Sequence, residues 1–160
     1  MKKNRAENVM IADLLRNDLG RVGYNVKAPR LFEVTGYKTL YQMTSTVTAS
    51  LPEDISLYRI FGALFPSGSV TGAPKIRAMK IIQGLEAEER RIYTGAIGYI
   101  TPRKNLFFNI PIRTLLIRNG RGEMGIGGGI VWDSTAEGEW NEGLLKARFV
   151  TDLFGQATPA

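Results

Sequence analysis

The chain has 160 residues, 44% of them hydrophobic, enough for one domain with a real core. It contains no cysteine and no histidine, which excludes disulfides, thiolate chemistry, Ser-His-Asp triads and His-ligated zinc. The formal net charge is +6, yet the densest basic stretch, Lys75 to Arg91, is interleaved with Glu86, Glu88 and Glu89, so it reads as a solvated surface and no nucleic-acid face emerges.

The elements follow in chain order. Val9, Met10, Ile11, Leu14 and Leu15 recur at helical spacing and predict a helix over 5–19, with Gly20 as its stop. Residues 26–48 read as strands, with Thr44 to Thr48 rich in β-branched side chains. A short helix is predicted from Pro52 through Leu64, then a turn over Phe65 to Gly68, then a helix from about Pro74 to Leu85. Three strands are expected at Tyr93–Thr101, Leu106–Ile117 and Glu123–Val131, with an Asn119-Gly120 hairpin turn between the last two. Ser134-Thr135-Ala136-Glu137 has the spelling of a capping box and opens a helix that runs to about Phe154. The fold class is α+β, with antiparallel hairpins flanked by helices. No apolar run approaches the ~20 residues of a membrane helix, and no signal-peptide pattern follows Met1-Lys2-Lys3. With cysteine absent, the composition fits the cytoplasm.

Without His or Cys, any metal must sit on oxygen ligands, which points to magnesium or a similar hard cation. General acid–base work falls to Glu, Asp, Lys or Tyr. Gly68-Ser69-Val70-Thr71-Gly72-Ala73-Pro74-Lys75-Ile76 reads either as an anion seat at a helix start or as a simple capped helix. Glu139, Glu142 and Lys146 fall on one helix face, where they form either a solvated Glu–Lys pair or a seat for a hydrated divalent cation with a lysine beside it. Glu7 heads an apolar stripe; it needs either a partner or a metal, unless it simply sits at the favourable N-terminus of its helix. Arg113 shares a strand face with Asn109, Phe107 and Leu115, so its guanidinium suits a ligand carboxylate or an internal salt bridge. Gly127-Gly128-Gly129 permits either close backbone approach to a ligand or a tight bend, and the run from Gly125 is not a dinucleotide fingerprint.

Taken together, these segments resemble the chorismate-utilising enzymes. The matching stretches are Ala6 to Met10, Asp13 to Arg21, Gln42 to Val47, Gly68 to Ile76, Tyr93 to Tyr99, Ile112-Arg113-Thr114, Gly127 to Val131, and Glu139 to Arg148, all in family order. The resemblance implies a fold of helices around two large antiparallel sheets, of which this chain supplies about half and so exposes apolar strand surface. It implies that Glu7 and Glu142 are magnesium ligands and that Glu139 holds metal-bound water. Tyr93 and Arg113 would bind the enolpyruvyl carboxylate of chorismate, assisted by backbone N–H groups near Gly127 and Gly128. Ser69 and Thr71 would line the same pocket, and Lys146 would stand near the metal and the ring, making Lys146 and Glu139 the catalytic pair.

The Phe65 to Lys75 spelling, Gln42-Met43-Thr44-Ser45-Thr46 and the Gly-Gly-Gly-Ile-Val run are most similar to the p-aminobenzoate branch, which serves folate synthesis. There, ammonia from a separate glutamine amidotransferase component replaces the C4 hydroxyl of chorismate, giving 4-amino-4-deoxychorismate. The alternatives are the anthranilate branch of tryptophan synthesis and a non-catalytic module that binds chorismate or a partner. Two departures matter. Several relatives carry His where this chain has Gln42, and the family's upstream Pro-Ile-Lys-Gly-Thr segment, which holds a proposed nucleophilic lysine, is missing. The chain therefore resembles the C-terminal part of a chorismate-binding catalytic domain over residues 1–154, followed by a flexible tail over 155–160. As such a part it is expected to be inactive alone.

Overall fold

The computed structural model describes residues 2–38 and 41–154, so the expected tail over 155–160 lies outside the described residues. The chain divides into two compact units, Met1–Leu85 and Glu86–Ala160.

The first unit opens with α1, Lys2–Gly20, which contains no proline and no glycine before its last residue. It begins three residues earlier than the hydrophobic spacing predicts, because Lys2 to Asn4 are helical although they carry no apolar stripe. Next comes an antiparallel hairpin of β1, Tyr24–Gly36, and β2, Tyr41–Ser50. Its register slips between Tyr24 and Lys27, Lys27 and Arg30, and Arg30 and Glu33. Two of these irregularities hold non-glycine residues with left-handed backbone, Asn25 (φ 53°) and Phe32 (φ 58°), the signature of bulges that bend a strand. The Phe32 N–H donates to Ser45 Oγ (3.1 Å), whose hydroxyl donates in turn to Asn8 Oδ1, and the Arg5 guanidinium lies 5.0 Å from the Phe32 ring centroid. This bulge therefore docks α1 on the hairpin.

The predicted helix from Pro52 starts later. Residues 53 and 54 are a turn, and α2 is Leu57–Leu64, capped by Ser56 Oγ accepting from the Arg59 N–H at 3.3 Å. A short helix absent from the sequence expectation, α3, spans Gly68–Thr71, and α4 follows at Lys75–Leu85. Gly68 is buried against α1, and a Cβ there would collide with the Leu14 side chain. Lys75 closes this unit. Its Nζ sits 2.6 Å from Asp18 Oδ2 and donates to the carbonyls of Ala63 and Leu64, both at 3.4 Å, at the end of α2.

The second unit carries two short hairpins and the last helix. β3, Ile97–Ile100, pairs antiparallel with β4, Leu106–Asn109, and β5, Leu116–Arg118, pairs with β6, Arg121–Glu123. The Asn119-Gly120 turn is as the sequence predicts, with φ of 52° and 75°, the two positive angles of a tight hairpin turn. The three long strands are not. Tyr93 lies in a turn, the Leu106–Ile117 strand breaks into β4 and β5, and residues 124–131 run without regular structure. Pro111 has no N–H for a ladder and Arg113 adopts φ 51°, which together interrupt the middle strand. α5, Ala136–Phe154, completes the chain. The α+β class is as expected, with the sheet present as three separate two-stranded pieces among the described residues.

Candidate functional site

In the second unit, the glycine run and the first three turns of α5 converge. Lys146 Nζ lies 2.6 Å from Glu142 Oε1 and donates to the Gly127 carbonyl at 2.9 Å. Glu139, one turn earlier, accepts from the Ser134 hydroxyl through Oε1 at 2.5 Å. Its other oxygen, Oε2, is buried and has no hydrogen-bond partner among the described residues. A Cβ on Gly128 would stand 2.6 Å from that oxygen and 3.7 Å from both Glu142 Oε1 and Lys146 Nζ. The helix-face trio of the sequence reading is thus one cluster, roofed by Gly127 and Gly128.

Tyr93 joins it from the other side. Its ring covers Gly125 so closely that a side chain there would overlap it, and its hydroxyl would be 3.1 Å from a Cβ on Gly127. The glycines therefore allow close approach, as one sequence reading has it, but the groups that use the space are this chain's own Tyr93 and Glu139. Tyr93 is set in its turn by flanking left-handed residues, Arg91 (φ 50°) and Thr94 (φ 59°), and by the buried Thr94, whose N–H donates to the Pro111 carbonyl at 2.9 Å.

Arg90 is not the solvated residue that its mixed-charge neighbourhood predicts. Its guanidinium reaches Glu86 with Nη2–Oε1 at 2.6 Å and Nε–Oε2 at 2.8 Å, and lies 5.8 Å from the Tyr93 ring centroid. The hydrogen bonds from Arg90 hold the Glu86 carboxyl below the usual carboxylate range, against a smaller opposing effect of partial burial. The same hydrogen bonds raise Arg90.

Arg113 departs from its expected setting. It lies exposed in the irregular stretch between β4 and β5, so the shared strand face with Asn109 does not exist, and among the described residues it has no ion pair. The internal salt bridge is therefore absent there, and the fork is available to an external carboxylate. The capping box is also displaced by one residue. Thr135 Oγ1 accepts from the Gly138 N–H at 3.2 Å, while Ser134 turns to Glu139. Ser134 is the residue that sequence reasoning missed, although a serine five positions before the second helical carboxylate was visible in the spelling.

The remaining candidates belong to the first unit. Glu7 is exposed in the second turn of α1, so neither the N-terminal explanation of its charge nor the need of a buried carboxylate for a partner or a metal holds. Ser69 Oγ is 2.9 Å from Ser67 Oγ, and the Thr71 hydroxyl donates to the Ser67 carbonyl at 3.1 Å. Lys75, the cation of that motif, is spent on Asp18 and the end of α2. The motif thus behaves as a capped turn with a structural lysine.

Hard carboxylate oxygens, one of them buried and unpartnered, suit magnesium in chemistry. Among the described residues no group of three or more Asp or Glu is assembled. The fit therefore rests on the α5 pair.

Comparison with known proteins decides the family. The family model for chorismate binding enzyme matches residues 1–152. The chain belongs to that family. It is 48% identical to aminodeoxychorismate synthase component 1 of Escherichia coli over 142 residues, which is 88% of this chain and 31% of that protein. It is 45% identical to the component 1 of Lactococcus lactis over 154 residues, covering 95% of this chain and 33% of that one. The crystal structure of anthranilate synthase component I from Streptococcus pneumoniae superimposes with a TM-score of 0.86 at 39% identity, over 92% of this chain and 34% of that one. The chain thus spans a third or less of the length of these curated relatives. None of its described helices is long and apolar enough to cross a membrane.

Proposed function

We propose that this chain is the chorismate-binding part of an aminodeoxychorismate synthase component 1, a cytoplasmic enzyme of p-aminobenzoate and folate synthesis. In the whole protein, ammonia from a glutamine amidotransferase component replaces the C4 hydroxyl of chorismate, giving 4-amino-4-deoxychorismate. The observation that carries this reading is the cluster of Glu139, Glu142 and Lys146 under Gly127 and Gly128, in a chain 45% to 48% identical to synthases of that name.

In this reading Glu142, with Glu139 beside it on α5, would hold magnesium, whose charge would anchor the ring carboxylate. The chain's own groups do the rest. Lys146 has three N–H donors and among the described residues uses two, on Glu142 and Gly127, which leaves the third to reach the ring or its departing hydroxyl. Glu139 Oε2 presents a buried acceptor, to which a donor is worth more than at an exposed one. The Tyr93 hydroxyl and the Arg113 fork take the enolpyruvyl carboxylate, with N–H groups at Gly127 and Gly128 assisting. Anthranilate formation is the second reading, favoured by the likeness to anthranilate synthase component I.

Calorimetric titration of chorismate into the chain with magnesium tests this. Binding is expected, with a loss of about tenfold or more in Glu142→Ala and in Arg113→Lys, since lysine cannot reproduce a paired contact to a carboxylate. No binding by the unaltered chain, or unaltered binding in both variants, would overturn the assignment. Mass spectrometry of the product made by the whole protein with ammonia separates aminodeoxychorismate from anthranilate.

A further inference from the structure

We propose that Ser134 is the positioning residue of this site: its hydroxyl fixes the Glu139 carboxylate so that Oε2 is the one oxygen left to accept from a ligand. The inference rests on the reading of Glu139 as a site residue given above.

A serine hydroxyl has one hydrogen and can accept as well. Ser134 Oγ accepts from the Val131 N–H at 3.0 Å, and the Ser134 N–H donates back to the Val131 carbonyl at 3.0 Å. The backbone thus takes the acceptor side of the hydroxyl, and its only hydrogen points to Glu139 Oε1 at 2.5 Å. A hydrogen bond to a charged carboxylate is among the strong ones. The two carboxylate oxygens are thereby made unequal. Oε1 is satisfied, and Oε2 is buried under Gly128 with nothing to accept from. A buried acceptor left unmade is costly, so the arrangement favours a ligand that brings a donor to that oxygen.

The link also explains why the glycine run leads into Ser134. Val131, which holds the serine, ends the Gly127 to Val131 segment whose Gly128 leaves room for Oε2. Segment and carboxylate are coupled through one side chain. Removing the hydroxyl frees the Glu139 side chain to rotate and lets Oε1 compete for the ligand's donor.

The test uses the chain labelled with 13C at glutamate carboxyls, at fixed neutral pH, with the Glu139 signal assigned by its loss in Glu139→Gln. In Ser134→Ala the Glu139 signal is expected to shift, and in Ser134→Thr, which keeps the hydroxyl, to return towards its original position. Chorismate affinity with magnesium is expected to fall about tenfold in Ser134→Ala and to recover in Ser134→Thr. An unmoved signal in Ser134→Ala, or the same displacement in both variants, would overturn the positioning role. The carboxyl signal needs no ligand. If the unaltered chain binds no chorismate, the functional reading fails while the signal still decides the role of Ser134.

Discussion

At the scale of the residue, Gly128 is the position where space and chemistry coincide. Its backbone is not in the left-handed region, so an alanine there meets no conformational penalty. What the methyl would meet is Glu139 Oε2, the far end of a flexible side chain, at 2.6 Å. The carboxylate can swing away, but only by leaving Ser134. Gly128→Ala should therefore cost about 1–2 kcal/mol of stability, the Ser134 hydrogen bond being given up, while weakening chorismate binding by roughly tenfold. Thermal melting and calorimetry on the same sample check this, and full affinity in Gly128→Ala would mean that the Glu139 geometry does not matter. The contrast with Arg113 shows what a sequence carries at this scale. Glu139, Glu142 and Lys146 were legible because helical offsets fix their common face. Arg113 was placed on the wrong surface, because the period-two rule needs an unbroken strand and Arg113 sits at φ 51° two residues after Pro111. Ser134 was read only as a cap, since nothing local told that Thr135 would take that duty.

At the scale of the element, α1 was legible from its apolar spacing and the Gly20 stop, α4 from its apolar spacing, α5 from its capping spelling, and the β5–β6 hairpin from Asn-Gly. The breaks in the longer strands follow from tertiary requirements that periodicity does not encode, notably the turn that holds Tyr93 over Gly125. Two ion pairs differ in kind, one joining two helices and the other local to the connection after α4. Lys75–Asp18 is nearly out of water, with side chains 14% and 7% exposed, and joins α4 to α1. Lys75→Met leaves Asp18 buried without its partner, so a loss of about 3 kcal/mol is expected, with part of it regained in the double variant Lys75→Met, Asp18→Asn. Denaturant melts of the four proteins measure this, and additive single effects would mean that the pair is not the source. Glu86–Arg90 is more exposed and contributes under about 1 kcal/mol. The arginine holds Glu86 below its unfolded range, so this contribution is present above the ordinary carboxylate pKa of about 4.3 and disappears as the pH falls through the lower folded value. The melting difference between the unaltered chain and Arg90→Gln should thus be largest near neutral pH and shrink below about pH 4. A difference that stays constant into acid would assign the role of Arg90 to its stacking on Tyr93 instead.

At the scale of the whole molecule, the composition and the burial pull apart. A 44% hydrophobic chain of this length suggests a substantial core, yet the buried apolar residues among those described are Ala12, Ala63 and Ala147, and no large side chain is fully buried. The large apolar groups face outward in each unit. In the first, Tyr58, Leu85, Tyr41 and Ile76 are all at least 70% exposed; in the second, Trp132 is 99% exposed, with Ile130 and Leu153 at 77%. Monomeric soluble proteins rarely leave so much large apolar surface in water, and β1, β2, β3 and β4 each have one pairing edge without a strand on it among the described residues. The resemblance predicted this surface, because a part of a two-sheet fold keeps the strands that a larger sheet would cover, whereas composition alone predicted the opposite. The chain on its own is therefore expected to self-associate. Sedimentation velocity should give a weight-average mass that rises with concentration, and an apolar-surface dye should fluoresce in its presence. Tyr58→Ser and Leu85→Ser together should lower both signals without changing the Glu139 carboxyl resonance. A mass fixed at the monomer value across the concentration series, with no dye fluorescence, would mean that these side chains are not free to associate in solution.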